Sequence, residues 1–340
     1  MRLPLPRGPL SAQLRAVLSE PPTPVSWSAE PAHAVPTDPI ADDDLQLALW
    51  CSYELHYRGF DDVAAGWEWD PGHLALRRQL EDRFLDALRR TVAVPLSEAA
   101  VPDRLQSLIA GDDGPPLSRY VQRQATRPQF EEFAVHRSIY HLKEGDPHSW
   151  AIPRLRGRAK AALVEIQSDE YGGGLPARMH SELFRATLRG LRLADDYGYY
   201  IEQAPGITLA MSNLISLFGL HRELRGALVG HLAAFEMTSS AANRRYSLGL
   251  RRLGVDDATR RFYDEHVTAD ALHEQVAAHD LCGGLVADEP ELADDVLFGA
   301  ACCLELDNRF AGSVLSRWRS GLSSLRTVAN GASVDVTNAG

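Results

Sequence analysis

From Asp42 onward, apolar side chains recur at the three- and four-residue spacing of helices, and alternating β-branched runs are few. A chain patterned this way has little with which to build a sheet, because a strand needs the two-residue alternation that turns one face inward. The expected fold class is therefore all-α. One helix begins at Leu45, Leu47, Leu49 and Trp50, where the preceding Asp42-Asp43-Asp44 suits the positive end of a helix dipole. Further helical segments are expected at about 72–93, 116–143, 153–170, 176–190, 208–222, 224–239, 241–253, 257–281 and 290–320. Pro102, Pro115-Pro116, Gly172-Gly173-Gly174, Pro205-Gly206, Gly254, Gly283-Gly284 and Pro290 read as the breaks between them. No internal repeat is found.

Nine of the 20 prolines precede residue 40, so residues 1–40 are expected to form a Pro-rich extended arm. Residues 41–325 then form one helical body, and the Ser-, Ala- and Gly-rich residues 326–340 a flexible tail. At 340 residues the chain can bury a substantial core, and no apolar run approaches the roughly 20 residues of a membrane span. A net charge of −11 argues against nucleic acid or an anionic membrane as partner. Four cysteines without a CxxC pair support neither a disulfide framework nor a zinc ribbon, and with no secretory apolar core near Met1 a cytoplasmic protein is expected.

Twelve histidines in such a chain raise the question of whether any cluster. In Phe262 to Glu274, Asp270 is rotated from His266 by about 40° and His273 by about −20°, so one helix face presents imidazole, carboxylate and imidazole. That donor set suits iron, manganese or zinc; the competing reading is a solvated helix face. Glu170 and His180 flank the three glycines, whose helix-breaking cost calls for a packing or functional reason. They reach one site if the two helical pieces continue collinearly, but His180 alone also suits a structural histidine. Glu236 sits in an apolar stretch, where burial of a carboxylate calls for a partner or a metal, unless it faces solvent. Glu144 ends a long helix before Gly145 and Pro147, a place ordinary for any C-terminal-turn residue. Lys143 is expected to face solvent.

In this order and spacing, the segments KEGDPHSW, EIQSDEYGGGLPARMH, AAFEMTSS and YDEHVTADALHE resemble the haem-oxygenase-like diiron oxidases, the iron-containing redox enzymes, over roughly residues 115–320. The resemblance implies a haem-oxygenase-like helical bundle with Glu144, Glu170, His180, Glu236, His266, Asp270 and His273 as metal ligands. Ferritin-like diiron proteins instead carry Glu-x-x-His on two core helices, and the match here, Glu30 to His33, lies in the Pro-rich arm. Haem is the less expected cofactor, since three His and four carboxylates fall at metal-ligand positions.

The resemblance further implies two Fe as cofactor, O2 activation through a peroxo-bridged diferric species, an external electron donor and a small organic amine or amino-acid-like substrate. Among family chemistries, monooxygenation at nitrogen is favoured because Asp270 stands between the two histidines. Desaturation, decarboxylation or cleavage of an amino acid or fatty acid is the alternative within the class. A noncatalytic helical metal-binding protein is the alternative outside it. A homodimer is compatible with the sequence. Trp150, Tyr171, Tyr263 and Arg309 are candidates for the substrate pocket, with packing, or an ion pair for Arg309, as the competing role.

Overall fold

A computed structural model describes residues 1–22, 36–94 and 97–327, with the side chains of 268–272 outside that description. The elements are α1 (Pro9–Leu18), α2 (Asp43–Glu54), α3 (Pro71–Thr91), α4 (Val101–Ala110), α5 (Leu117–Arg123), α6 (Arg127–His141), α7 (Asp146–Ser149) and α8 (Gly157–Glu170). They continue as α9 (His180–Gly190), α10 (Gly206–Leu220), α11 (Arg225–Arg252), α12 (Asp257–Gln275), α13 (Gly283–Asp288) and α14 (Ala293–Arg319). No strand occurs among the described residues, so the all-α expectation holds. None of the described helices is long and apolar enough to cross a membrane.

The bundle is organised around α11, which packs against α5, α12 and α14, while α10 lies on α2 and α12 on α9. Glycines set the closest of these approaches. A Cβ at Gly230 of α11 would overlap the Val296 carbonyl of α14, and one at Gly299 of α14 would overlap the Ala227 carbonyl of α11. The two backbones therefore touch where both helices have shed their side chains. Around this seam Leu228, Ala233, Ala234, Ala300 and Val296 are fully buried.

Local chemistry explains most helix starts, including those that the sequence pattern misplaces. Asp42 caps α2 by accepting from the Asp44 and Leu45 amides, as the acidic triplet suggests. The segment expected at 116–143 is two helices, because Thr126 and Gln129 form a reciprocal capping box that starts α6 afresh, with a proline in its first turn. Conversely, α11 runs unbroken through Ser239 and Ser240. Pro102 does not break a helix but sits in the first turn of α4, where a missing N–H costs nothing.

The expectation of an extended arm is corrected over its first half. Pro9 starts α1, and Leu10, Leu14 and Leu18 are buried on its inner face. The Asp44 carboxylate accepts from the Leu10 and Ser11 amides at 2.8 Å each, and Arg7 donates to the Ala204 carbonyl at 2.7 Å. A proline-rich composition permits a helix when a proline falls at its first position. Residues 23–35, the remaining stretch of that arm, and 328–340, most of the expected tail, lie outside the described residues.

Candidate metal centre

Four chain segments carry the expected ligands, of which Glu144, His180 and His266 come together in one group, and glycine geometry decides two of the approaches. Glu144 follows α6, and the next residue, Gly145, has φ +88°, a conformation that L side chains rarely adopt. A Cβ there would stand 3.1 Å from both Glu170 Cβ and Gln167 Oε1, so the missing side chain is what lets the Glu144 turn lean on the end of α8. Glu170 is the last residue of α8. Beyond it Gly172, Gly173 and Gly174 have φ of +64°, +61° and +80°, and Gly172 lies against the backbone of Arg178 and Met179. The chain thus closes a tight loop that brings Gly172 against Arg178 and Met179. The loop delivers His180, the first residue of α9, to Glu170, with Nδ1 3.0 Å from Oε2.

On the opposite side, Glu236 projects from the middle of α11, and His266 and His273 from α12. His266 Nδ1 donates to the Phe262 carbonyl at 2.7 Å, which fixes the tautomer and leaves Nε2 as the basic nitrogen, 3.8 Å from Glu144 Oε1. The His180 and His266 rings lie 4.2 Å apart between centroids. His273 donates from Nε2 to Asp169 Oδ2 at 2.9 Å and turns Nδ1 toward Glu236 Oε2, 3.4 Å away. One ligand atom from each of Glu144, His180 and His266 lies within 4.8 Å of the others, a spacing that can hold a metal ion. Six of the seven expected ligands are buried; the Asp270 side chain lies outside the described residues.

His180 Nδ1 and Glu170 Oε2 face each other at 3.0 Å, as do His273 Nδ1 and Glu236 Oε2 at 3.4 Å, whereas Glu144 Oε2 is buried and makes no hydrogen bond among the described residues. A buried carboxylate oxygen in that state costs on the order of 1–3 kcal/mol, and more when charged, so Glu144 Oε2, grouped with His180 and His266, calls for a further partner. A cation fits this set of carboxylate oxygens and imidazole nitrogens. Burial alone would raise the Glu144 carboxyl, but the His141 and His266 imidazoles beside it hold it below the usual carboxylate range. Burial opposes charge on His273 as well, yet Glu236 and Asp169 push it up to about 9. The same opposition, with Glu170 as the carboxylate, raises His180.

Several supporting residues escaped the sequence reading. His141 Nδ1 donates to Glu144 Oε1 at 2.8 Å, and its position one turn before Glu144 was the available signal. Asp169, the neighbour of Glu170, orients His273. Lys143 is not solvent-facing but buried, with Nζ 3.6 Å from Glu54 Oε2 and 4.2 Å from the centre of the Tyr57 ring. Glu54 in turn accepts from the Tyr197 hydroxyl at 2.6 Å. No pattern near Lys143 indicates this, because its partner lies on α2.

A cavity of about 160 Å³ is lined from α6, α10, α11, α12 and α14, with Glu144 and His266 among its walls. Of the four pocket candidates, Tyr263 lines it. Tyr171 instead ties its hydroxyl to Asp146 at 2.9 Å and Ser149 at 3.0 Å, holding α7 against the end of α8. Trp150 packs on Gly219 of α10. Arg309 pairs with Glu305 at 2.7 Å and Asp38 at 2.9 Å, away from the cavity.

Comparison with known proteins bears on the family to which the chain belongs. The chain is 28% identical over 145 residues to the nitrosourea synthase of Streptomyces achromogenes subsp. streptozoticus, a match covering 43% of this chain and 31% of that protein. The chain therefore spans about a third of the length of the curated relative it matches. The profile of the iron-containing redox enzymes matches residues 131–308, more than half of the chain and all of the segments that carry the clustered carboxylates and imidazoles. With sequence profile and buried donor set coinciding on the same helices, the chain belongs to the iron-containing redox enzyme family.

Proposed function

We propose that the chain is an O2-dependent, non-haem diiron oxidoreductase. In this reading Glu144, Glu170, His180, Glu236, His266, Asp270 and His273 hold two irons, and a small organic amine is oxygenated at nitrogen. The carrying observation is the buried group of Glu144, His180 and His266, one ligand atom of each lying within 4.8 Å of the others. Bound iron supplies the redox chemistry and a site for dioxygen.

The chain's own residues set up that chemistry. Phe262 and Asp169 each hold one ring nitrogen of His266 and His273, so that the other nitrogen of each ring faces the carboxylates. His141 holds one oxygen of Glu144 and leaves the other available as a ligand. The apolar and aromatic walls of the cavity exclude water from Glu144 and His266. Oxygenation at nitrogen is supported by the nitrosourea synthase match, since a nitrosourea carries an oxidised nitrogen. For a primary amine the balance is R–NH2 + O2 + 2 e⁻ + 2 H⁺ → R–NHOH + H2O, with both electrons from an external donor.

Anaerobic Fe(II) titration tests the reading. The expected result is two irons per chain and a transient visible absorption on exposure to O2. Binding of zinc alone, or no binding, overturns the reading. Full iron content and O2 reactivity in His273→Ala would overturn the ligand assignment.

A further inference from the structure

We infer that the cavity beside Glu144 and His266 takes a compact organic amine that carries no carboxylate, held through the Tyr263 hydroxyl. The inference rests on the proposed oxidase reading for the chemistry performed there, but not for the binding itself.

Size comes first. A volume of about 160 Å³ is close to the roughly 150 Å³ of an engineered cavity that admits benzene, so one ring or a short branched chain fills it. A long acyl chain does not fit. The walls are mostly apolar, with Phe133, Met211, Leu214, Phe235 and Tyr246 among them.

Charge narrows the class further. Arg137 is the one Lys or Arg among the described lining residues, and it is already engaged. Its guanidinium donates to Asp307 at 3.0 Å and lies 4.8 Å from the centre of the Phe310 ring. His136 and His231 also line the cavity, and burial lowers both imidazoles, His136 to about 3, so neither supplies a cation at neutral pH. A substrate carboxylate would enter without a counter-charge, which is costly in an apolar site. At the mouth the balance is the reverse. Asp112 is an exposed carboxylate, and Asn308 donates to it at 2.6 Å. With the Arg137 charge matched by Asp307, the mouth keeps a surplus negative charge that favours an incoming ammonium.

The anchor is an orphaned hydroxyl. Tyr263 is 1% exposed, lines the cavity, and its hydroxyl has no hydrogen-bond partner among the described residues. Its place on α12 is one turn before His266, so ring and imidazole share a helix face. An amine N–H donating to the Tyr263 oxygen satisfies the hydroxyl and holds the nitrogen in the cavity that Glu144 and His266 also line.

The test is calorimetric titration of the full chain with benzylamine, benzoate and phenylalanine, before and after anaerobic Fe(II) loading. Benzylamine is expected to bind once per chain and at least tenfold tighter than either carboxylate in both preparations. Tyr263→Phe should weaken benzylamine about tenfold, and Ala242→Trp, which fills the cavity, should abolish binding with helicity retained by circular dichroism. Should Ala242→Trp fail to fold, the probe ranking and Tyr263→Phe decide by themselves. The inference is overturned if benzylamine does not bind, if a carboxylate binds as tightly, if Tyr263→Phe changes nothing, or if binding survives a folded Ala242→Trp. Failure to load iron with the probe ranking intact would defeat the oxidase reading and leave this one standing.

Discussion

Gly145→Ala separates backbone strain from crowding at the metal centre. Both effects are present at Gly145, whose φ is +88° and whose added Cβ would stand 3.1 Å from Glu170 Cβ and from Gln167 Oε1. Gly173 provides the control, since its φ is +61° but a Cβ there meets nothing within 4 Å. Left-handed backbone costs an alanine about 1–2 kcal/mol, and that alone is expected for Gly173→Ala. Gly145→Ala adds overpacking against buried neighbours, typically about 1–3 kcal/mol, for a total near 3 kcal/mol. Part of that strain can be relieved by moving Glu144 away from Glu170, which pulls one ligand off the centre. Each 1.4 kcal/mol transferred in this way weakens iron binding about tenfold. Urea unfolding of the metal-free chain measures the first quantity and anaerobic Fe(II) titration the second. The expected pattern is wild-type iron affinity in Gly173→Ala and a ten- to hundredfold loss in Gly145→Ala. Equal stability losses in the two variants, with iron affinity intact in both, would refute the role assigned to Gly145.

Removing one partner of the buried Lys143–Glu54 pair strands the other, so Lys143→Met and Glu54→Gln should each cost about 3–5 kcal/mol in urea unfolding. The double variant should recover part of that loss; strict additivity would mean that the pair is not coupled. A further expectation concerns pH and the buried histidines, His136 and His148 each lowered to about 3 and His73 to about 4 by burial. Their folded values lie below the ordinary value near 6.5, so the native state binds fewer protons. Their stabilising contribution is complete above about pH 6.5 and falls by roughly 1.4 kcal/mol per pH unit per group as the pH drops toward 4. His136→Gln should remove about one proton from the measured slope between pH 6 and pH 4.5, and an unchanged slope would show that His136 does not contribute. Arg309→Ala breaks two half-exposed ion pairs away from the cavity and should change stability by less than about 1 kcal/mol, with iron content unaltered. A loss of bound iron in that variant would place Arg309 closer to the centre than its contacts indicate.

What the sequence reveals follows from how far each cause lies along the chain. His266 and His273 are legible because seven residues of helix set their common face, a rule that needs no tertiary information. The capping box at Thr126 was equally local, and a search for Thr-x-x-Gln before an apolar run would have split the segment at 116–143. The three glycines announced a break but not its sense, because collinear continuation and a tight loop both tolerate glycine. What selects the loop is the packing of Gly172 on the Arg178 and Met179 backbone, together with the left-handed angles of all three glycines. Lys143 marks the opposite limit. A lysine beside a ligand is ordinarily solvated, and what buries this one is Glu54 on α2, roughly ninety residues earlier, together with the rings of Trp50 and Tyr57. Short-range periodicity cannot report a partner that only the bundle brings near. The common face of His266 and His273 was therefore readable from helical spacing, whereas Glu144, Glu170, His180 and Glu236 were singled out by the family resemblance, and the groups that surround them were set by contacts between helices.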